Sequence, residues 1–460
     1  MTAPCDATGC TTSLTYEAAV DYLFGRINYE RVPTTKYSTD DFQLPRMSTL
    51  LERLGNPQLT IPAVHITGTK GKGSTAAMVA ALWQAGGHTV GLFTSPHLER
   101  FEERMTVNGR LPSESQIIRL VSRLMEVAVD LELTEETRPT FFELSTALAW
   151  MVFQAAGCDL VVLEVGLGGR LDTTNLCRPL ATAITSVSRD HMRLLGETLE
   201  LIAREKAGII KPGVPCVTGV ESPAVRAVIE DVCRDRGAAC HRLGQEIQIL
   251  QCQPDRDSIG PARWVADIQT AQRVHPVVAI PLAGEFQIRN AALALALVDL
   301  VGQQLGQLLS AEQIRSGLAQ VVWPLRMETV RRHPMVLLDA AHNDASIQEL
   351  CRTVQSIPAR QRTLIFGTSR DKEAGAMLRL VGGAFDRILI TRYTTNPRAW
   401  PVEELAEVAR SIPLSSMGTS ETIAEALRLA LSDATADDLI CVAGSFFLAA
   451  EARSLLAATL

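Results

Sequence analysis

No apolar run in the sequence reaches the roughly 20 residues that a membrane-crossing helix needs. The opening segment, MTAPCDATGCTTSLTYEA, lacks a basic stretch followed by an apolar one, so no secretion signal is read. These two absences set the expectation of a cytoplasmic protein without a membrane partner. There is no dense block of Lys or Arg, and the formal net charge is −7. Nucleic-acid binding therefore has little support, whereas sites for small anions can still be built locally. No CxxC pair occurs among the 10 cysteines. Cys158, Cys177, Cys216, Cys233, Cys240, Cys252, Cys351 and Cys441 are scattered in the manner of reduced thiols used as small apolar side chains. Cys5 and Cys10 stand apart, in a polar tail. Internal repeats and low-complexity tracts are also missing.

What is present is the composition of a globular chain, 47% hydrophobic and 21% charged over 460 residues, too long for one ordinary core. Apolar runs at 61–67, 88–94, 158–166 and 179–187 read as strands, with a helix over 75–86. Such alternation argues for parallel strands joined by crossover helices. A second series begins near residue 335, with strands at 335–339, 363–367, 387–391 and 439–444. Between the series, residues 245–283 are polar and Gln-rich with short β-like pieces, and 290–305 is helical. The expected fold is α/β: a larger N-terminal P-loop-type ATPase domain with a mostly parallel sheet (1–320), and a smaller C-terminal Rossmann-like domain (321–460). The boundary falls near Trp323-Pro324.

Between the first strand and its helix lies Gly68-Thr69-Lys70-Gly71-Lys72-Gly73-Ser74-Thr75. Glycines let the backbone N–H groups surround phosphate oxygens, the helix N-terminus adds its dipole, and Lys72 supplies a point charge. The strict P-loop pattern differs. It has glycine where Ile66 stands and a hydroxyl where Gly73 stands, so a hydroxyl for magnesium must come from Ser74 or elsewhere.

At the end of the third strand stands Glu164, leading into Gly166-Leu167-Gly168-Gly169-Arg170-Leu171-Asp172-Thr173-Thr174-Asn175. Leu171 breaks a dinucleotide fingerprint. A carboxylate closing a central strand suits a magnesium ligand instead, direct or through water. Asp190-His191 follows the fourth strand, where the two side chains could hold a metal or its water. In the helical stretch 196–208, Lys206 falls on or beside the apolar stripe of Ile202 and Ala203. Periodicity leaves two readings of it. Either a desolvated amine is neutral or carbamylated, or the stem covers apolar surface while the head reaches water.

Taken together, the ordered segments RMSTLLERLGNP (46–57), HITGTKGKGST (65–75), TSPHLERFEERMTVNG (94–109), PTFFELST (139–146), LEVGLGGRLDTTN (163–175), DHMRLLGETLELIAREKAGIIKPG (190–213), WPLRME (323–328), LDAAHN (338–343), GTSRDK (367–372), TTNPRA (394–399) and AGSFFL (443–448) resemble the folylpolyglutamate synthase/dihydrofolate synthase family of the Mur ligase superfamily. That resemblance implies an ATP-dependent ligase. It would phosphorylate a folate or dihydropteroate carboxylate and pass the acyl group to L-glutamate, acting as a monomer with ATP and two magnesium ions. It implies that Gly71, Lys72, Gly73 and Ser74, with Asn290, Arg326 and Asp339, hold ATP. Ser95, Glu164 and His191 would serve the metals. Lys72, Lys206 and His191 would act in catalysis, with Lys206 carbamylated. Thr69, Phe141, Asp172 and Lys372 would meet substrate, His342 and Asn343 lying beside Asp339. Departures from the family pattern are Ser188-Arg189 before Asp190, Phe286 in Gly284-Glu285-Phe286-Gln287, Leu325 and Ala340. Arg189 would stand beside the metal site and bear on folate preference. Two rivals are a Mur-type ligase acting on a peptidoglycan precursor and a nucleotide-hydrolysing regulatory protein; TSPHL and PTFFE favour folate.

Overall fold

The computed structural model describes residues 14–32, 38–132, 134, 137–255 and 260–458, so Cys5 and Cys10 lie outside the described residues. Among the described residues three sheets form. The first contains β1 (Ala63–Thr67), β2 (Val90–Phe93), β3 (Met105–Val107), β4 (Leu160–Glu164), β5 (Pro179–Ile184), β6 (Cys216–Thr218) and β7 (Cys240–Arg242), in the order β3-β2-β4-β1-β5-β6-β7. All neighbours run parallel except the β2–β3 pair. β1 and β4 are buried along their whole length, which is why both read as mostly apolar runs. The C-terminal ends of β1, β4 and β5 therefore open side by side. Ligands gather at that edge in open α/β sheets.

The helix Lys72–Ala85 leaves β1 and is buried around most of its circumference, between the sheet and the helices Phe286–Leu305 and Ala311–Ala319. It begins before residue 75 because Gly71 adopts the left-handed conformation at its N-cap (φ 80°), bringing Lys72 into the first turn. The opposite face carries Phe141–Ala155, where Thr140 and Glu143 form a capping box. Trp83 and Trp150 are fully buried on the two sides of the sheet. At about 150–250 Å² of surface and ~25 cal/mol per Å², each contributes about 4–6 kcal/mol at most to holding the layers together.

Residues 245–283 are more regular than their polar composition suggests. They fold as β8 (Gln248–Pro254), β9 (Trp264–Gln269) and β10 (Val274–Ile280), an antiparallel sheet with one largely exposed face. The third sheet holds β11 (Glu328–Arg332), β12 (Met335–Leu338), β13 (Arg362–Phe366), β14 (Arg387–Ile390), β15 (Met417–Thr419) and β16 (Leu439–Ala443), in the order β11-β12-β16-β13-β14-β15. Its core strands alternate between two clusters, Leu337 and Cys441 on one face, Val336, Leu338 and Val442 on the other. The short strands β3, β6, β7, β11 and β15, at or next to the sheet edges, escape the sequence reading because so few residues, only partly apolar, carry no periodic signal.

Candidate active site

The phosphate loop is pinned from behind by the end of β5. Thr69 N donates to Ser186 O at 2.8 Å, and Lys70 N to Ser186 Oγ at 2.9 Å. Thr185 Oγ1 and Ser186 Oγ donate to Lys70 O at 2.5 and 3.1 Å. These bonds turn the N–H groups of the following residues toward a cavity of about 1220 Å³. Gly71, Lys72, Gly73 and Ser74 line it, with Asn290 beside Gly71.

Glu164, Ser95, His191 and Lys206 converge on the same cavity, and Arg326 and Asp339 reach it from the third sheet. Burial raises the Glu164 carboxyl pKa; Lys72, Arg326 and the backbone of Ser95 offset this in part. His191 is pushed down to about 4 by burial, leaving a neutral imidazole at neutral pH. Lys206 is 4% exposed. Burial and the Lys72 ammonium bring its amine down to about 7. Of the two readings that periodicity allowed, the inward, desolvated one matches this placement. Asp339 accepts Met327 N at 2.9 Å and Ala341 N at 2.8 Å, so its carboxylate also fixes the chain on either side of Arg326 and Ala340.

A second cavity of about 260 Å³ adjoins the first. Ser95, Gly166, Leu167 and His191 line both. Its walls include Tyr29, Phe42, Phe142 and Leu195, an apolar slot suited to a flat ring. Polar groups at its edge are already organised. Arg46 Nε donates to both Glu143 oxygens at 2.9 and 2.8 Å, and Thr140 N donates to Glu143 at 2.7 Å. Arg46 lies in RMSTLLERLGNP, a segment that carried the resemblance but gave no hint of this role.

The four residues expected at substrate are placed unequally. Phe141 is fully buried, packing on Phe24 at 4.8 Å between ring centroids and beneath the Arg104 guanidinium, and it lines neither cavity. The expectation is corrected by one position: successive helix residues point about 100° apart, and it is Phe142 that faces the slot. Thr69 lines the nucleotide cavity, but its hydroxyl is engaged with Ser188 N at 3.0 Å and O at 3.3 Å. Asp172 lines the slot with its carboxylate occupied by Gly166 N, Leu167 N and Thr174 N, each at 3.0 Å, and by Thr174 Oγ1 at 2.5 Å. A carboxylate has about four lone-pair sites, so Asp172 acts as the keystone of its turn rather than as a free acceptor. Behind it, buried His65 meets Thr174 Oγ1 at 2.8 Å. Lys372 lies in the slot with Nζ 2.7 Å from Asp190 Oδ1.

Asp190 lines the large cavity beside His191 and also reaches the segment after β12. Asn343 Nδ2 donates to its Oδ2 at 3.2 Å, and His342 Nε2 lies 3.6 Å away. Burial would raise this carboxyl, yet the imidazole of His342 and the Lys372 ammonium outweigh it and hold the pKa well below the usual range. Arg189 is exposed and lines neither cavity.

The chain matches the Mur ligase middle domain over residues 66–298 and the Mur ligase glutamate ligase domain over residues 325–446. It is 33% identical over 443 residues to the dihydrofolate synthase/folylpolyglutamate synthase of Bacillus subtilis, covering 96% of this chain and 99% of that one. The folylpolyglutamate synthase of Lacticaseibacillus casei is 33% identical, covering 89% and 94%. Among solved structures, Mycobacterium tuberculosis folylpolyglutamate synthase complexed with ADP superposes with a TM-score of 0.86 at 31% identity, covering 96% of this chain and 98% of that one. An FPGS–AMPPCP–folate complex gives 0.82 at 29% identity, covering 96% and 99%.

Proposed function

The chain belongs to the folylpolyglutamate synthase/dihydrofolate synthase family, and from that premise we propose an ATP-dependent ligase that joins L-glutamate to the carboxylate of a tetrahydrofolate, of dihydropteroate, or of both. The observation that carries this reading is the junction of the two cavities at Ser95, Gly166 and His191. A nucleotide seated on the loop points its terminal phosphate at an acid whose flat ring occupies the slot.

A carboxylate does not react with an amine at neutral pH, so the acid is activated by accepting that phosphoryl group, and the amine of glutamate then displaces phosphate. Lys72 and the loop N–H groups hold the phosphates and offset charge on the group in transfer. Arg326 and Asp339 bring the second domain onto the nucleotide. Tyr29, Phe42 and Phe142 orient the acid. The bridge from Lys372, His342 and Asn343 to Asp190 closes the cleft, which keeps water from the activated acyl group.

The donor set fits magnesium. A buried carboxylate, a hydroxyl and a neutral imidazole line the cavity beside the phosphate loop, oxygen and nitrogen donors of the kind that complete a shell made mostly of water and phosphate. Glu164, Ser95 and neutral His191 are the residues that would contact two such ions; bound there, they would supply further positive charge to the phosphates. Lys206, with its amine near neutrality, is proposed as the carbamylated lysine. No helix among the described residues is long and apolar enough to cross a membrane, and the eight described cysteines are free. A cytoplasmic enzyme acting as a monomer is proposed on the family resemblance.

The test is direct. Purified chain is incubated with ATP, magnesium, L-glutamate and either dihydropteroate or tetrahydrofolate, and the products are weighed. A mass gain of one or more glutamyl units is expected. No conjugate from either acid removes the proposal.

A further inference from the structure

Gly73 occupies the loop position where a strict P-loop carries a hydroxyl, and the space beside it is filled. A methyl built there would stand 2.7 Å from Cζ2 of Trp323, 3.1 Å from Cε2 and 3.2 Å from Nε1. Carbon atoms in contact prefer about 3.5–4.0 Å. The obstacle is the body of a rigid ring, not the free end of a flexible chain, so it cannot swing aside by a rotation of one terminal bond.

Trp323 lies in the segment that connects the first sheet's domain to the third sheet's. It packs against the core cluster of the first, beside the helix Lys72–Ala85, whereas fully buried Leu325 belongs to a core cluster of the other. Pro324 alone separates the two anchors. Just beyond, Ala340 N donates to Leu325 O at 3.0 Å and Met327 N to Asp339 at 2.9 Å, fixing Arg326 at the nucleotide cavity.

We propose that Trp323 is a positioning residue: its indole, seated on Gly73, fixes the inter-domain pivot to the phosphate loop, so that one contact keeps position 73 free of a side chain and sets where Arg326 is delivered as the domains close. The same contact explains why position 73 has no side chain and why the hydroxyl must come from elsewhere. Only the turnover arm of the test rests on the ligase reading above.

The experiment is a double-mutant cycle on the full chain, with Gly73→Ala, Trp323→Phe and the pair. ADP binding is read by calorimetry, glutamyl conjugate formation by mass, and folding by circular dichroism. Gly73→Ala is expected to weaken ADP binding about tenfold, and by less than about twofold when Trp323→Phe has removed the outer ring, a coupling of the size seen for residues in contact. Equal losses in both backgrounds would overturn the proposal. Trp323→Leu, with Gly73 intact, is expected to lower kcat about tenfold while leaving KM for ATP within about twofold, the signature of a group that acts when the domains close. An unchanged kcat would overturn it even if Gly73→Ala failed to fold. Coupling in ADP binding without any conjugate would sink the substrate assignment and leave the role of Trp323 standing.

Discussion

Lys372 Nζ donates to Asp190 Oδ1 at 2.7 Å, joining positions 182 residues apart and two different domains. Both side chains are largely buried, at 12% and 10% exposure. Breaking a buried pair that must stay buried costs about 3–5 kcal/mol. Because this pair spans two domains, an opening of the cleft would rehydrate the orphaned charge instead. Lys372→Met is therefore expected to lower kcat about tenfold with little change in the thermal midpoint. Melting and turnover measured on the same preparation check this; a collapsed midpoint would make the pair a fold element only.

Lys72→Ala and Glu164→Ala are each expected to abolish turnover. Lys72 stands in the first turn of the helix that follows the phosphate loop, and Glu164 is a buried acid at the end of β4 that faces the same cavity. Conjugate formation by mass, with far-ultraviolet circular dichroism as the folding control, decides. Full activity in either variant would withdraw the site assignment.

The amine of Lys206 is held near 7. A neutral amine is the form that takes up carbon dioxide, and it gains population as pH rises through that value. Activity is therefore expected to climb between about pH 6 and pH 8 and to fall when dissolved carbon dioxide is removed at fixed pH. Lys206→Ala should lose both dependences along with most activity, with partial recovery on adding a short carboxylate. Rates across that range, with and without bicarbonate, check the expectation.

Adjacent phenylalanines should separate function from stability. Phe142→Ala is expected to raise KM for the acid about tenfold while KM for ATP holds. Phe141→Ala should destabilise the fold by about 3–5 kcal/mol, as large-to-small changes in a packed core do. Urea unfolding and steady-state kinetics on both variants distinguish them, and interchanged outcomes would reverse the placement of the slot.

Much of this protein was legible in the chain. β1, β4, β12 and β16 are buried, mostly apolar runs because both faces of their sheets are covered, and such runs announce themselves locally. The phosphate loop is equally local, since glycines, a lysine and a helix start lie within a few residues of each other. Glu164 was found for the same reason, as a charge closing an apolar strand.

Other relationships had no local signal. One helical step of about 100° separates Phe141 from Phe142, and only the packing of Phe24 and Arg104 around the first decides which ring faces the slot. Asp172 looked available until the backbone of 166, 167 and 174 closed around it. Asp190 sits beside His191 in sequence yet binds the other domain, and Trp323 meets Gly73 from a position 250 residues further along. Backbone conformation and apolar patterning follow from neighbours along the chain, so the sequence determined the central strands, the loop and the family. Partners brought together from distant segments depend on how the layers and domains close, and that closure was decided by the tertiary structure alone.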